Sequence, residues 1–255
     1  MKQLTIVKIG GNVIDDEKSL NKFLLSFSKL QGPKLLVHGG GKVATQLSSQ
    51  LGIETKMVDG RRITDAETLK IATMVYAGWI NKSITAVLNS KNCESIGLCG
   101  ADLFLIPSEK RKKVKIDYGF VGDVLEHKIN TKFLELMLSQ NIVPVVAPLT
   151  SDNNGQLLNT NADTIASSLA VALSKTYNVK LIYGFEKDGV LNGERVISTI
   201  NPSIYDLLKK EKIIIDGMIP KLDNAFLSIR KGVKEVVIMN STQILNKNAG
   251  TTITN

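Results

Sequence analysis

Residues 4–9 form a short apolar, β-rich run that ends at Gly10-Gly11, and Leu35-Leu36-Val37 form a second that ends at Gly39-Gly40-Gly41. A helical pattern follows each. Leu20, Phe23, Leu24 and Phe27 recur at three- and four-residue spacing after the first run, and residues 43–51 read as a helix after the second. Strand, glycine loop and helix in succession, twice over, constrain the fold strongly. Parallel strands need a crossover, and the helix supplies it. The chain is therefore expected to be α/β, with a mostly parallel sheet and helices on both faces. Residues 142–147 (closed by Pro148), 180–183 and 236–239 supply later strands, with turns at Asp188-Gly189 and Asn192-Gly193.

Thr64-Asp65-Ala66-Glu67 fits a capping box, with Thr64 as the cap of a helix running to about Ser90. That helix is unusually apolar: Leu69, Ile71, Val75, Tyr76, Trp79, Ile80, Ile84 and Leu88 exceed what one core-facing stripe needs. The surplus predicts a homodimer through helix 65–90, and a fully buried central helix is the other explanation. Residues 173–178 mark a seam between an N-terminal lobe, 1–174, and a C-terminal lobe, 175–255.

The chain of 255 residues carries a net charge of +8. Its densest basic run, Lys110-Arg111-Lys112-Lys113 with Lys115, lies between strand-like residues 103–107 and 114–116 and reads as a solvated hairpin turn. No aromatic residues interleave with it, so no nucleic-acid partner is expected. No apolar run is long enough for a membrane span. Cys93 and Cys99 do not form a CxxC motif and are expected to be reduced thiols, which suits a cytoplasmic protein.

Lys8 sits at a strand end, two residues before Gly10-Gly11, where bare backbone can approach a phosphate. Lys221 closes the run Asp216-Gly217-Met218-Ile219-Pro220-Lys221. Two fixed cations around glycine loops suit a polyanion and phosphoryl transfer, where positioning and charge neutralisation lower the barrier. In Asn159-Thr160-Asn161-Ala162-Asp163, a carboxylate placed between the two lysines would orient both and favour their charged forms. N-capping alone would also account for that polar cluster. The Walker P-loop is excluded, since Val43 follows Lys42, and the protein-kinase motifs are absent. His38 is expected to be structural. A rival reading remains, because Gly39-Gly40-Gly41-Lys42-Val43-Ala44 with Asp59 matches a dinucleotide fingerprint and would suit an oxidoreductase.

The order Lys8-x-Gly10-Gly11, His38-Gly39-Gly40-Gly41, Gly60-x-Arg62-x-Thr64, Asn159-x-Asn161-Ala162-Asp163 and Asp216-Gly217-Met218-x-x-Lys221 resembles the N-acetyl-L-glutamate kinase family of the amino-acid kinase (carbamate kinase-like) superfamily. The resemblance covers essentially the whole chain. It implies a three-layer αβα sandwich, with the acylated amino acid on the N-terminal lobe and ATP on the C-terminal lobe. It implies ATP-dependent phosphorylation of the γ-carboxylate of N-acetyl-L-glutamate, the second step of arginine biosynthesis. N-succinyl-L-glutamate is the alternative substrate.

By motif match, Lys8 and Lys221 stabilise the transferring phosphoryl group and Asp163 organises them. Gly40, Gly41, Arg62 and Asn159 bind the acyl amino acid. Gly10, Gly11, Glu186, Gly189, Gly217 and Met218 bind the nucleotide, and Mg2+ arrives with ATP rather than on protein ligands. The family's Ser-Asp-Val-x-Gly loop is replaced here by Phe185-Glu186-Lys187-Asp188-Gly189. Arginine-inhibited members carry an additional N-terminal helix, so the resemblance implies an arginine-insensitive homodimer.

Overall fold

The computed structural model describes residues 1–58, 61–113, 115–214 and 218–255. Eight strands form the central sheet: β1 (Lys2–Ile9), β2 (Lys34–His38), β3 (Ser95–Leu98), β4 (Val143–Val146), β5 (Tyr177–Phe185), β6 (Thr199–Ile200), β7 (Glu235–Asn240) and β8 (Thr251–Ile253). Their order is β6-β8-β7-β5-β1-β2-β4-β3. The described pairings are parallel except for β7 against β8. β1 pairs along its whole length with β5, from Lys2 opposite Tyr177 to Ile9 opposite Gly184. One sheet thus runs across the expected seam at residues 173–178.

Alternation along β1 builds two cores. Leu4 and Ile6 join Leu35, Val37 and Leu181 on one face, while Val7 and Ile9 join Leu36, Val145 and Ile182 on the other. The second face is covered by α1 (Gly11–Asp15), α2 (Glu17–Ser28), α3 (Gly41–Gln50), α4 (Ala66–Thr73) and α5 (Asn81–Asn89). The first is covered by α6 (Thr131–Ser139), α7 (Ala162–Leu173), α8 (Pro202–Lys210) and α9 (Met218–Arg230). This is the expected αβα sandwich. Parallel strands buried on both faces explain why the sequence shows continuous apolar runs rather than alternation.

Two local expectations need correction. The cap of α4 is Asp65, which accepts from the Thr68 amide at 2.8 Å, and not Thr64. The Thr64 backbone is instead held by residues 118–120: its amide donates to the Tyr118 carbonyl and its own carbonyl accepts from the Phe120 amide. From α4 the helix continues through a π-helical segment, Met74–Ile80, into α5.

The hairpin around the basic run does exist, but its strands are Ser108–Lys110 and Gly122–Val124, and the described residues 111–113 and 115–121 lie between them. Residues 103–107 cannot extend as a strand, because Leu103 and Phe104 adopt φ of +48° and +52°. Their side chains are exposed, so an apolar stretch mimicked a strand without the burial that makes one. Val114 lies outside the described residues.

Candidate active site

Lys8 follows Ile6 by two residues, so its side chain emerges on the face covered by α7 and α9. There it meets the first turn of α7. The Asn161 side chain caps that helix, accepting from the amides of Asp163 (2.8 Å) and Thr164 (3.2 Å). Capping therefore explains Asn161 and leaves Asp163 free for a different task. Asp163 Oδ1 lies 2.6 Å from Lys8 Nζ, with the two side chains 16% and 11% exposed.

Lys8, Gly10, Gly11, Asp163, Glu186 and Lys221 line one cavity of about 200 Å3. The expected cations, carboxylate and glycine loop thus converge from β1, α7, β5 and α9. The expectation that Asp163 holds both lysines is met geometrically for Lys8. Lys221 shares the cavity, and among the described residues no ion pair joins it to Asp163. Asn12, Tyr183, Gly184 and Phe185 line the same space. The register of β5 against β1 puts Tyr183 beside Lys8, a relation that spacing alone could not reveal. A Cβ added at Gly10 would find nothing closer than Lys8 Nζ at 3.9 Å. Protein packing does not demand glycine there, and the bare backbone is left open to the cavity.

Gly40, Gly41, Arg62 and Asn159 form an adjoining group. The Gly39 amide donates to the Ile9 carbonyl at 3.2 Å, which ties the triple-glycine loop to the end of β1. Both loops lie at the carboxyl edge of the parallel strands, where open α/β sheets bind ligands. Arg62 is buried. It donates through Nη2 to the Gly41 carbonyl and Thr45 Oγ1, both at 2.8 Å, and through Nη1 to Thr55 Oγ1 at 3.1 Å. These acceptors are uncharged, so the guanidinium is oriented without being neutralised. Asn159 ends the short strand Leu157–Asn159 and donates through Nδ2 to Thr64 Oγ1 at 3.0 Å.

Gly189 and Met218 are not among the residues that line the cavity. Gly189 packs against β8, where an added Cβ would sit 2.8 Å from Thr251 Oγ1 and 2.7 Å from Val196 Cγ1. Met218 opens α9 and packs against the core. Gly217 lies outside the described residues, as do Asp59, Gly60 and Asp216. Asn240 was not anticipated. It steadies the 185–189 loop by donating to the Glu186 carbonyl (3.1 Å) and Asp188 Oδ1 (3.0 Å). Among the described residues, no group of three or more His, Cys, Asp or Glu is placed to hold a metal ion.

His38 has the structural role expected of it. Asn81 Nδ2 faces His38 Nε2 at 3.1 Å and also donates to the Val145 carbonyl at 2.9 Å. The ring proton therefore sits on Nδ1 and is donated to the Gly39 carbonyl at 2.9 Å. Complete burial lowers the imidazole pKa from 6.5 to about 4, with the Gly39 bond opposing that shift weakly. The folded value lies below the unfolded one, so stability is full above pH 6.5 and declines as pH falls toward 4. Between pH 7 and pH 5 this one group is expected to remove about 2 kcal/mol. Urea unfolding at both pH values should show that much less pH dependence in His38→Asn than in the parent.

Residues 3–240 match the family described as "Amino acid kinase family". The chain belongs to this family. It is 55% identical to an acetylglutamate kinase of Cytophaga hutchinsonii, over 98% of each chain. It is 52% identical to an acetylglutamate kinase of Phocaeicola vulgatus, over 99% of this chain and 98% of that one. Among solved structures, smu.665 from Streptococcus mutans superposes with a TM-score of 0.78 at 28% identity, covering 100% of this chain and 99% of that one. Within the amino acid kinase family, the chain groups with the acetylglutamate kinases.

Proposed function

We propose that the cavity between β1, β5, α7 and α9 is where the γ-phosphoryl group of ATP passes to the γ-carboxylate of N-acetyl-L-glutamate. That reaction gives N-acetyl-L-glutamyl 5-phosphate and ADP, and it is the reaction of the acetylglutamate kinases with which this chain groups. The observation that carries the site assignment is the Lys8–Asp163 ion pair at 2.6 Å in a cavity that Lys221 also lines.

The acceptor carboxylate is already ionised at neutral pH and needs no general base. The task is to hold two anions in line and offset the charge between them. Lys8 and Lys221 provide that charge, and Asp163 holds Lys8. Arg62 suits a substrate carboxylate, because its planar fork can bind both oxygens. Gly40, Gly41 and Asn159 complete the acyl amino acid site on the 1–174 lobe. Gly10, Gly11 and Glu186 face the nucleotide, whose base and ribose lie toward the 175–255 lobe. Mg2+ enters with ATP. A cytoplasmic setting belongs to the same proposal, as the two free cysteines would suit.

The test is ATP-dependent acyl phosphate formation trapped with hydroxylamine, with N-acetyl- and N-succinyl-L-glutamate side by side. The acetyl compound is expected to react and the succinyl compound to lag. The reverse preference would keep the chemistry and move the substrate. Silence with both would overturn the reading.

Helix 66–89 is the proposed seam of a homodimer. On it Met74 and Trp79 are 52% and 73% exposed, and Ile96 of the edge strand β3 is 40% exposed. Lone exposed apolar residues are ordinary, but an indole this bare beside an open sheet edge suits a second copy. Sedimentation at micromolar concentration should report a dimer, and Trp79→Glu should shift it to monomer. A monomeric parent would end the proposal.

A further inference from the structure

Tyr183 is opposite Lys8 in the sheet register, so both side chains emerge toward α7. It lines the phosphoryl cavity yet is only 2% exposed. Among the described residues, its hydroxyl has no hydrogen-bond partner. A buried hydroxyl without a partner is costly, and phenylalanine would fill the same space without that cost. The polar groups that act on it are Asp163 and Ser167, one turn further along α7, and Ser167 comes near the phenol without reaching hydrogen-bond geometry. Ser167 already donates its own hydroxyl to the Thr164 carbonyl at 2.9 Å. Asp163 Oδ1 is likewise sealed from solvent and rests on the Lys8 ammonium at 2.6 Å.

These facts create a difficulty for the proposed phosphoryl transfer, on which this inference rests. The Lys8 ammonium has three N–H donors, so it can keep Asp163 while it turns another donor to the transferring group, and its hold on Asp163 weakens as it shares its charge with that group. In the resting protein that carboxylate oxygen is closed to water. We propose that Tyr183 is a positioning residue whose hydroxyl adds a donor to Asp163 Oδ1 as the Lys8 ammonium also engages the phosphoryl group. An idle donor in the resting protein then has a use at the moment of reaction. Burial, reinforced by the negative charge of Asp163, holds the phenol pKa above its ordinary value, so the group remains a donor throughout the working pH range.

The experiment compares the parent with Tyr183→Phe, Asp163→Asn and the double variant. In Tyr183→Phe, kcat is expected to fall about tenfold, the size of one unmet buried hydrogen bond, while KM for the acyl glutamate stays put. Its melting temperature should hold or rise, because the resting protein loses no bond. Asp163→Asn removes the charge that the hydroxyl serves, so adding Tyr183→Phe to it should change kcat less than twofold. A single variant within twofold of the parent, or losses that multiply in the double variant, would overturn the proposal. A second measurement does not depend on the acyl substrate. Calorimetric titration with ADP, Mg2+ and aluminium fluoride should show about tenfold weaker binding in Tyr183→Phe, with ADP alone unchanged. Equal affinity for that mimic would sink the role of Tyr183. A parent silent on both acyl glutamates would count against the proposed reaction instead.

Discussion

Replacing Lys8 with alanine is expected to lower kcat by about 10²–10³ while leaving the fold intact. The magnitude follows from what the side chain does. Lys8 stands at the carboxyl end of β1, held by Asp163 at 2.6 Å, with its side chain only 11% exposed. A cation fixed beforehand in such a place is worth more than one in water, because no reorganisation is needed as charge develops. Lys221→Ala should cost a similar factor, since it lines the same cavity from α9. The double variant should lose much less than the product of the two, because groups that stabilise one transition state act as a unit. Coupled assay of ADP release gives kcat, and circular dichroism with thermal melting checks the fold. A Lys8→Ala enzyme within tenfold of the parent would mean that this ammonium does not meet the transferring phosphoryl group.

Much of this site was legible because its chemistry restricts residue type. A lysine before two glycines is a weak signal alone; the Gly39–Gly41 loop after a buried-type strand is a stronger one, and Lys8 gained weight only with that loop, the 159–163 cluster and Lys221 in the same chain. The parallel sheet was legible because strands buried on both faces need unbroken apolar runs, as in Leu35-Leu36-Val37. What escaped notice was set by tertiary contacts. Tyr183 looks like one more apolar strand residue until its register places it beside Lys8. Leu103 and Phe104 have the composition of a strand, but positive φ values turn them outward. Asp65 rather than Thr64 caps α4 because the Thr64 backbone is occupied by the 118–120 segment, far away in sequence. Gly189 reads as a nucleotide glycine from its loop, while its packing against Thr251 gives it an independent reason to lack a side chain.

The glycines of the two loops should separate into two kinds under substitution. Gly40→Ala is expected to destabilise the protein by roughly 3 kcal/mol, lowering its melting temperature by about 6–12 °C in a domain of this size. Gly40 adopts φ +144°, a backbone setting that side chains rarely tolerate, and an added Cβ would sit 2.3 Å from Ile80 Cδ1 and 3.3 Å from Tyr76 Cδ1. Both neighbours are buried in the core, so the end of the Ile80 side chain has packed atoms behind it if it gives way. The strained backbone is relieved by a shift of the loop, and that would carry the Gly41 carbonyl off the Arg62 guanidinium, now bound at 2.8 Å. KM for the acyl glutamate should rise with the loss of that alignment. Gly10→Ala offers the contrast. Its backbone has no positive φ, and its nearest neighbour would be Lys8 Nζ at 3.9 Å, so stability should change by less than about 0.5 kcal/mol. Activity should nonetheless fall, because the methyl group would stand where the nucleotide phosphates approach. Paired melting curves and kinetics for the two variants decide the matter. If Gly10→Ala retained full activity, the open backbone beside Lys8 would not be the phosphate path.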